Sequence, residues 1–283
     1  MSSSSAKLIF NALTKHASSG SSYMYRYVPE ALTCPAEGVA LNYKDLLENV
    51  TNVSKGLILE GFGPNTKIAA SFPNSSSNVI LQLACSITGT TYVSCKDPAD
   101  LSDISKQFEC HGTTTEDFEW LLKKSSISID IEDIFTAKEN SKYAYYNASV
   151  KETALKSLVS LAKTTSKHFR MTEKDITLVP VSLNHTMGMG FGVLPSLLSG
   201  GSVVLPSPSP SPELVVKALL ELQATLLIAD THLVAKVNEL GAGQSFEKFR
   251  GGLVKIGSGE DIDSNETRDI LGVTVDTVGV PKK

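Results

Sequence analysis

From residue 38 onward the chain alternates between two hydrophobic periods, and that alternation limits the fold more than any other feature. Leu46, Leu47, Val50, Val53 and Leu57 share one helical face, with Asn42 ahead of them as a cap and Gly61 as a stop. Lys67–Phe72 then reads as a buried strand. Pro73-Asn74-Ser75 turns the chain into a helix through Val79, Leu81, Leu83 and Ala84, and Thr90–Cys95 is the next strand. This is β-α-β at the spacing of a right-handed parallel crossover. Residues 98–140 are weaker, with a short helix around Trp120–Leu122 and a short strand at Ser126–Ile131. The rhythm resumes with a helix from Lys151 to Lys167, strand Ile176–Val181, a glycine-rich helix near 186–199 and strand Ser202–Leu205. Helix Glu213–Leu222, strand Thr225–Ala229, helix His232–Leu240, strand Leu253–Ile256, helix Asn265–Leu271 and strand Val273–Val275 complete the series. Regular alternation of this kind specifies an α/β fold of stacked, largely parallel sheets with flanking helices. The run from Pro206 to Pro212 alternates Pro and Ser, so it cannot be helix interior and reads as the connector that delivers the next helix start.

Composition permits such a fold and narrows the function. With 283 residues and 41% hydrophobic content, the chain can bury a core, which excludes a disordered polar polymer. No stretch approaches the ~20 apolar residues of a spanning helix. The net charge of -4, from 26 basic and 30 acidic residues, leaves no basic excess for displacing counterions from a nucleic acid. The cysteines Cys34, Cys85, Cys95 and Cys110 form no C-x-x-C pair and read as free thiols. The histidines His16, His111, His168, His185 and His232 show no metal-binding spacing. Sequons at Asn49, Asn52, Asn74, Asn147, Asn184 and Asn265 follow from a Ser/Thr-rich composition, with no secretory signal ahead of them. Gly188-Met189-Gly190-Phe191-Gly192 does not complete a dinucleotide-binding G-x-G-x-x-G.

The N-terminus has a character of its own. Residues 1–29 hold Lys7, Lys15, His16 and Arg26 and no acidic residue, with Leu8, Ile9, Phe10 and Leu13 on a loose amphipathic helix in a serine-rich setting. This is the composition of a mitochondrial import segment, here expected to be an uncleaved one; an ordinary leader on a cytoplasmic protein is the alternative. The expected organisation is an import-like or partner-docking extension over 1–37 and an α/β domain over 38–283, with halves of about 38–140 and 141–283.

The order of segments carries a resemblance. Leu41-Asn-Tyr-Lys-Asp-Leu-Leu-Glu, Gly56-Leu through Gly61, Lys67-Ile-Ala-Ala-Ser-Phe-Pro-Asn-Ser and Thr90-Thr-Tyr-Val-Ser are collinear with the opening of the adenylate-forming enzymes. Asp175-Ile-Thr-Leu-Val-Pro-Val-Ser-Leu-Asn-His185-Thr-Met-Gly-Met-Gly, then Leu197-Leu-Ser-Gly-Gly-Ser-Val-Val-Leu205, looks like a second block of that family. Ala224–Ala235 and Leu253-Val-Lys-Ile-Gly257-Ser-Gly259 fit two more. Over roughly 38–280 the chain therefore resembles a degenerate N-terminal portion of the acyl-CoA synthetases, luciferases and AMP-dependent ligases.

Departures from that pattern shape the functional expectation. The family binds ATP phosphates on a Ser/Thr/Gly-rich loop that ends in lysine, between a strand and a helix. The equivalent span, Tyr145-Tyr-Asn-Ala-Ser-Val150-Lys151-Glu152-Thr153, is shorter and has no glycine. Val150 resists the left-handed backbone of a phosphate nest, and Glu152 beside Lys151 opposes a polyphosphate. The family's Mg-binding glutamate, its ribose-holding aspartate and the C-terminal domain with its catalytic lysine are not matched. His185, Gly257, Gly259 and Lys151 remain as remnants of the site. Asp261, Asp263 and Glu266 read as a solvated acidic loop. The resemblance so modified implies no catalytic residue, metal or cofactor. It implies a structural or accessory subunit of a larger assembly, a mitochondrial respiratory-chain or ATP-synthase complex. Contacts are expected through residues 1–35 and 276–283, with no transmembrane helix of its own and no nucleic acid. The alternatives are an acyl- or CoA-binding module without ATP chemistry, and a ligase fragment completed by another chain.

Overall fold

The computed structural model describes residues 4–19, 30–115, 119–122, 142–147, 149–256 and 269–279. The described chain forms two sheets with helices between and outside them. The first half builds the five-stranded sheet β5-β3-β4-β6-β7 from β3 (Lys67–Ala70), β4 (Thr91–Ser94), β5 (Gly112–Thr114), β6 (Lys142–Asn147) and β7 (Ser149–Ala154). All its neighbours are parallel except β6 and β7. The seven-stranded sheet has the order β14-β11-β10-β8-β9-β1-β2. Its strands are β1 (Glu30–Cys34), β2 (Val39–Asn42), β8 (Ile176–Leu178), β9 (Ser202–Val204), β10 (Leu226–Asp230), β11 (Gly251–Lys255) and β14 (Asp276–Val278), and β2 alone runs antiparallel to its neighbour.

Between the sheets lie α1 (Ser5–Ser19), α2 (Tyr43–Leu59), α3 (Ser76–Thr88), α6 (Leu155–His168) and α7 (Leu194–Ser199). Outside the large sheet are α8 (Pro212–Glu221) and α9 (Thr231–Gly241), and outside the small one is α4 (Leu101–Gln107). The period-2 pattern of the strands sorts their side chains between these layers. Val179, Val203, Leu205, Ile228 and Leu253 face the central helices, while Leu178, Val204, Leu227, Ala229 and Val254 face α8 and α9. On the small sheet Ile68, Ala70 and Tyr92 point inward, and Ala69, Val93 and Cys95 meet Leu101 and Ile104 of α4. Covering on both faces is why these strands read as continuous apolar runs. Among the described residues no helix is long and apolar enough to cross a membrane.

Local chemistry explains most helix starts. Asn42 Oδ1 accepts from Lys44 N and Asp45 N at 2.9 and 3.0 Å, as the sequence predicts. Ser75 caps α3 through Asn78 N, and Ser211 with Pro212 opens α8 directly after the Pro/Ser connector.

Several elements differ from the sequence expectation. The helix expected from Lys151 begins only at Leu155, because Lys151–Ala154 is drawn into β7 by its ladder with β6. The last residues of the helix expected over Asn265–Leu271 are not helical. Asp269–Ile270 (β12) instead pairs antiparallel with Val273–Thr274 (β13), and β14 follows. The expected strand at Ser126–Ile131 lies outside the described residues, as does Asn265. Trp120–Leu122 falls within a short helix α5 (Glu119–Leu122).

Residues 1–37, read from the sequence as an extension, contribute two elements to the body. β1 pairs in parallel with β9, and α1 buries Ile9 and Leu13 in the central core. The His16 ring sits 5.2 Å from the Tyr43 ring and against Gly200, where a Cβ would come within 2.6 Å of it. Burial, reinforced by Lys15, holds the His16 imidazole below its ordinary value despite the Leu198 carbonyl and Glu173.

At the amino-terminal edge of the large sheet a charged staple ties three strands. Buried Asp175, just before β8, accepts from Arg250 Nε and Thr225 Oγ1 at 2.8 Å each and from Thr172 N at 2.8 Å. Burial alone would raise this carboxyl, but Arg250 and the other donors outweigh it and hold it below the usual range. With the folded value under the unfolded one, the stabilisation is complete above the unfolded value of about 3.9 and is lost as pH falls through the folded one. Asp175→Asn is expected to cost about 2 kcal/mol near neutral pH and to flatten the acid limb of the stability curve. Urea titrations across pH check this, and an unchanged acid limb would sink the assignment.

Candidate functional site

In a parallel sheet the strands deliver their following loops to one edge, where α/β proteins bind ligands. Here the carboxyl ends of β8, β10 and β11 lead to His185, to the Asp230–Thr231 helix start and to Ile256. The carboxyl end of β3 leads to Pro73-Asn74-Ser75.

The two edges are joined by buried amides that sequence reasoning missed. Asn74 Nδ2 donates to the Val181 carbonyl at 3.0 Å, and its Oδ1 accepts from Leu183 N at 2.9 Å. Asn78 Nδ2 donates to the Pro73 carbonyl at 2.9 Å and to Asn184 Oδ1 at 3.1 Å. Gln82 Nε2 and the Tyr92 hydroxyl both donate to Asn78 Oδ1, at 2.8 and 3.0 Å. Asn184 Nδ2 closes the ring on the Phe72 carbonyl at 2.9 Å. The available signal was Asn78 and Gln82, an i,i+4 polar pair inside an apolar helix. Asn74 is 5% exposed, so this sequon is a structural amide.

His185 is half-buried at the head of a glycine-rich turn, Met187–Val193, that runs into α7. Its Nδ1 accepts from Met187 N at 3.1 Å and its carbonyl accepts from Gly188 N at 3.0 Å. The bond from Met187 N places Nδ1 as an acceptor and ties the His185 ring to the first residue of the turn. The flanking Val181, Leu183, Met187 and Met189 are all buried in the central core. The glycines here serve packing. A Cβ on Gly188 would fall 2.5 Å from the Ser182 carbonyl, and one on Gly192 2.8 Å from Val179.

The span expected to be a loop between a strand and a helix is a β-hairpin. β6 and β7 pair from Lys142↔Ala154 through Tyr145↔Lys151 to Asn147↔Ser149, so one residue separates the last partners. A phosphate nest needs successive N–H groups converging on one point, whereas successive residues of a strand point in opposite directions. The hairpin does not fit a polyphosphate. Lys151 lies in mid-strand rather than at a loop end. Gly257 and Gly259, with Asp261, Asp263 and Glu266, lie outside the described residues. Among the described residues no three His, Cys, Asp or Glu side chains cluster as metal ligands.

The four cysteines are free, and burial pushes every thiol up, that of Cys110 to about 11. A cleft of about 360 Å³ opens at the other end of the small sheet, lined by Asn65, Lys67, Thr91, Val93, Phe108, Lys142 and Glu152. Its charges are already engaged. Lys142 pairs with Glu152 at 3.0 Å, and Lys67 donates to the Phe108 carbonyl at 2.8 Å.

Residues 150–271 match the AMP-binding enzyme family. No curated protein sequence matches the chain. Among solved structures, a long-chain-fatty-acid CoA ligase of Rhodopseudomonas palustris aligns with a TM-score of 0.73 at 14% identity, over 94% of this chain and 74% of that one. The N-terminal domain of FACL13 from Mycobacterium tuberculosis aligns at 0.76 and 13% identity, over 95% and 74%. O-succinylbenzoate coenzyme A synthetase of Bacillus subtilis aligns at 0.69 and 16% identity, over 91% of this chain and 56% of that one. The chain thus has the fold of the N-terminal part of acyl-CoA synthetases, with the sequence pattern of AMP-binding enzymes over residues 150–271.

Proposed function

We propose that this chain is a non-catalytic protein of the adenylate-forming fold, acting as an accessory subunit of a larger mitochondrial assembly, a respiratory-chain or ATP-synthase complex. The β6–β7 hairpin supports the first half of this reading. It is the span that the family resemblance equates with the ATP-phosphate loop, and it leaves one residue between its paired ends. Of the two remnants within the described residues, Lys151 lies in mid-strand and His185 Nδ1 is engaged by Met187 N. The acid-free N-terminal segment supports the mitochondrial location. A fold retained beside a hairpin that does not suit a polyphosphate supports the accessory role.

Calorimetric titration of the full chain with Mg-ATP, and separately with an acyl-AMP analogue, tests the non-catalytic half. No saturable heat at micromolar concentrations is expected, and no ATP–pyrophosphate exchange. Micromolar affinity for ATP would favour a ligase fragment instead, and acyl or CoA binding without ATP a binding module. For the assembly, a tagged chain is expected to migrate with a large complex on native gels of mitochondrial membranes. Migration only as a free monomer would refute that half.

A further inference from the structure

We infer that the surface formed by α6 and α1 docks on an anionic phospholipid bilayer. In α6 one face, Leu155, Leu158, Val159, Ala162 and Thr165, is buried. Lys156, Lys163 and Lys167 are exposed on a single flank. At about 100° per residue their spacings of seven and four keep them within an arc of about 40°, over a length of about 16 Å. Arg170, exposed just past the helix end, extends the line. The helix itself contains no acidic residue. Its neighbours in sequence are Glu152, paired with Lys142, and Glu173, while Asp276 is paired with His168 at the helix end. α1 packs against α6, contributes exposed Lys7 and Lys15, and likewise contains no acid. A chain of net charge -4 therefore concentrates positive charge on two touching helices.

The chemistry of this surface selects the partner. Its cations are lysines with one arginine, separated by exposed Ser157, Ser160 and Thr164. Protein interfaces are enriched in aromatics and arginine and depleted of lysine. Specific phosphate recognition favours the planar fork of arginine. Among the described residues the exposed large hydrophobics are Leu214 and Leu240, on the far helices α8 and α9, so the described part of the basic face presents none. Flexible point charges without an anchor suit a diffuse, flat, negative surface, and each lysine near anionic lipid strengthens binding about fivefold. The contact is electrostatic, so it weakens as salt screens it.

Sedimentation of the full chain with vesicles tests this, comparing neutral phosphatidylcholine with vesicles containing about one-third phosphatidylserine. Binding is expected to the anionic vesicles only, and to fade as ionic strength rises above about 0.15 M. The triple change Lys156→Ser, Lys163→Ser, Lys167→Ser should weaken it by about a hundredfold. The same three positions changed to Arg should keep it, as should Lys217→Ser, Lys236→Ser and Lys248→Ser, which remove equal charge elsewhere. Equal binding to neutral vesicles, undiminished binding by the first triple variant, or no vesicle binding at all would overturn the inference. Capture by polyglutamate or duplex DNA without vesicle binding would overturn it too, in favour of a different polyanion.

Discussion

Gly188→Ala should destabilise the protein by about 3 kcal/mol, more than any other single methyl added to the glycine-rich turn. The added Cβ would lie 2.5 Å from the Ser182 carbonyl oxygen and 2.9 Å from the Leu183 Cα. Both are backbone atoms, so no rotamer change relieves the overlap. Either the turn moves away from the 182–183 segment or that segment shifts, and it carries the Asn74 bond to Leu183 N. Gly190 faces the flexible ends of Leu158 and Leu161, which can give way, whereas Gly192 faces both methyls of the stiff, buried Val179. Alanine should cost about 1 kcal/mol at Gly190 and about 2 kcal/mol at Gly192. Urea denaturation of the three variants gives the ranking, and a Gly188→Ala protein as stable as wild type would remove the packing explanation.

Asn78→Ala should cost about as much, near 3 kcal/mol, for the opposite reason. No atom is crowded; instead, buried groups lose what they were paired with. Gln82 Nε2 and the Tyr92 hydroxyl lose a shared acceptor, and Asn184 Oδ1 and the Pro73 carbonyl lose a donor. Tyr92→Phe removes only bonds from a hydroxyl and should cost about 1 kcal/mol. Because both act through Asn78 Oδ1, the double variant should lose less than the sum. Strict additivity in denaturation midpoints would show that the ring does not act as a unit. Asn78→Leu, which fills the space and keeps no partner, separates packing from pairing: it should remain destabilised.

Legibility from sequence followed how local each instruction was. Asn42, Ser75 and Ser211 act within three residues, and the helix starts they cap are visible in the chain. Strands such as Leu226–Asp230 are buried on both faces and announce themselves by apolar runs. Lys151–Ala154 carries no such run. It becomes a strand because β6 pairs with it, which no window around residue 151 reveals. The same holds for Glu30–Cys34, whose partner β9 lies far along the chain. In the site, His185 was legible as a residue, but its ring's bond to Met187 N was not. The amide ring was not legible because its members are scattered from Asn74 to Asn184 and meet only when the two sheets do.

The docking of α1 has a consequence in the time order of synthesis. The helix is made well before the surface that receives it, which includes α7 and Gly200. At roughly 5–20 residues per second, Ile9 and Leu13 wait on the order of ten to forty seconds before that surface exists. During this interval their apolar face is open to any receptor that reads amphipathic helices. Once the large sheet has closed over it, the same face is core. Any ligand of that face and completion of the fold would therefore compete for one set of side chains.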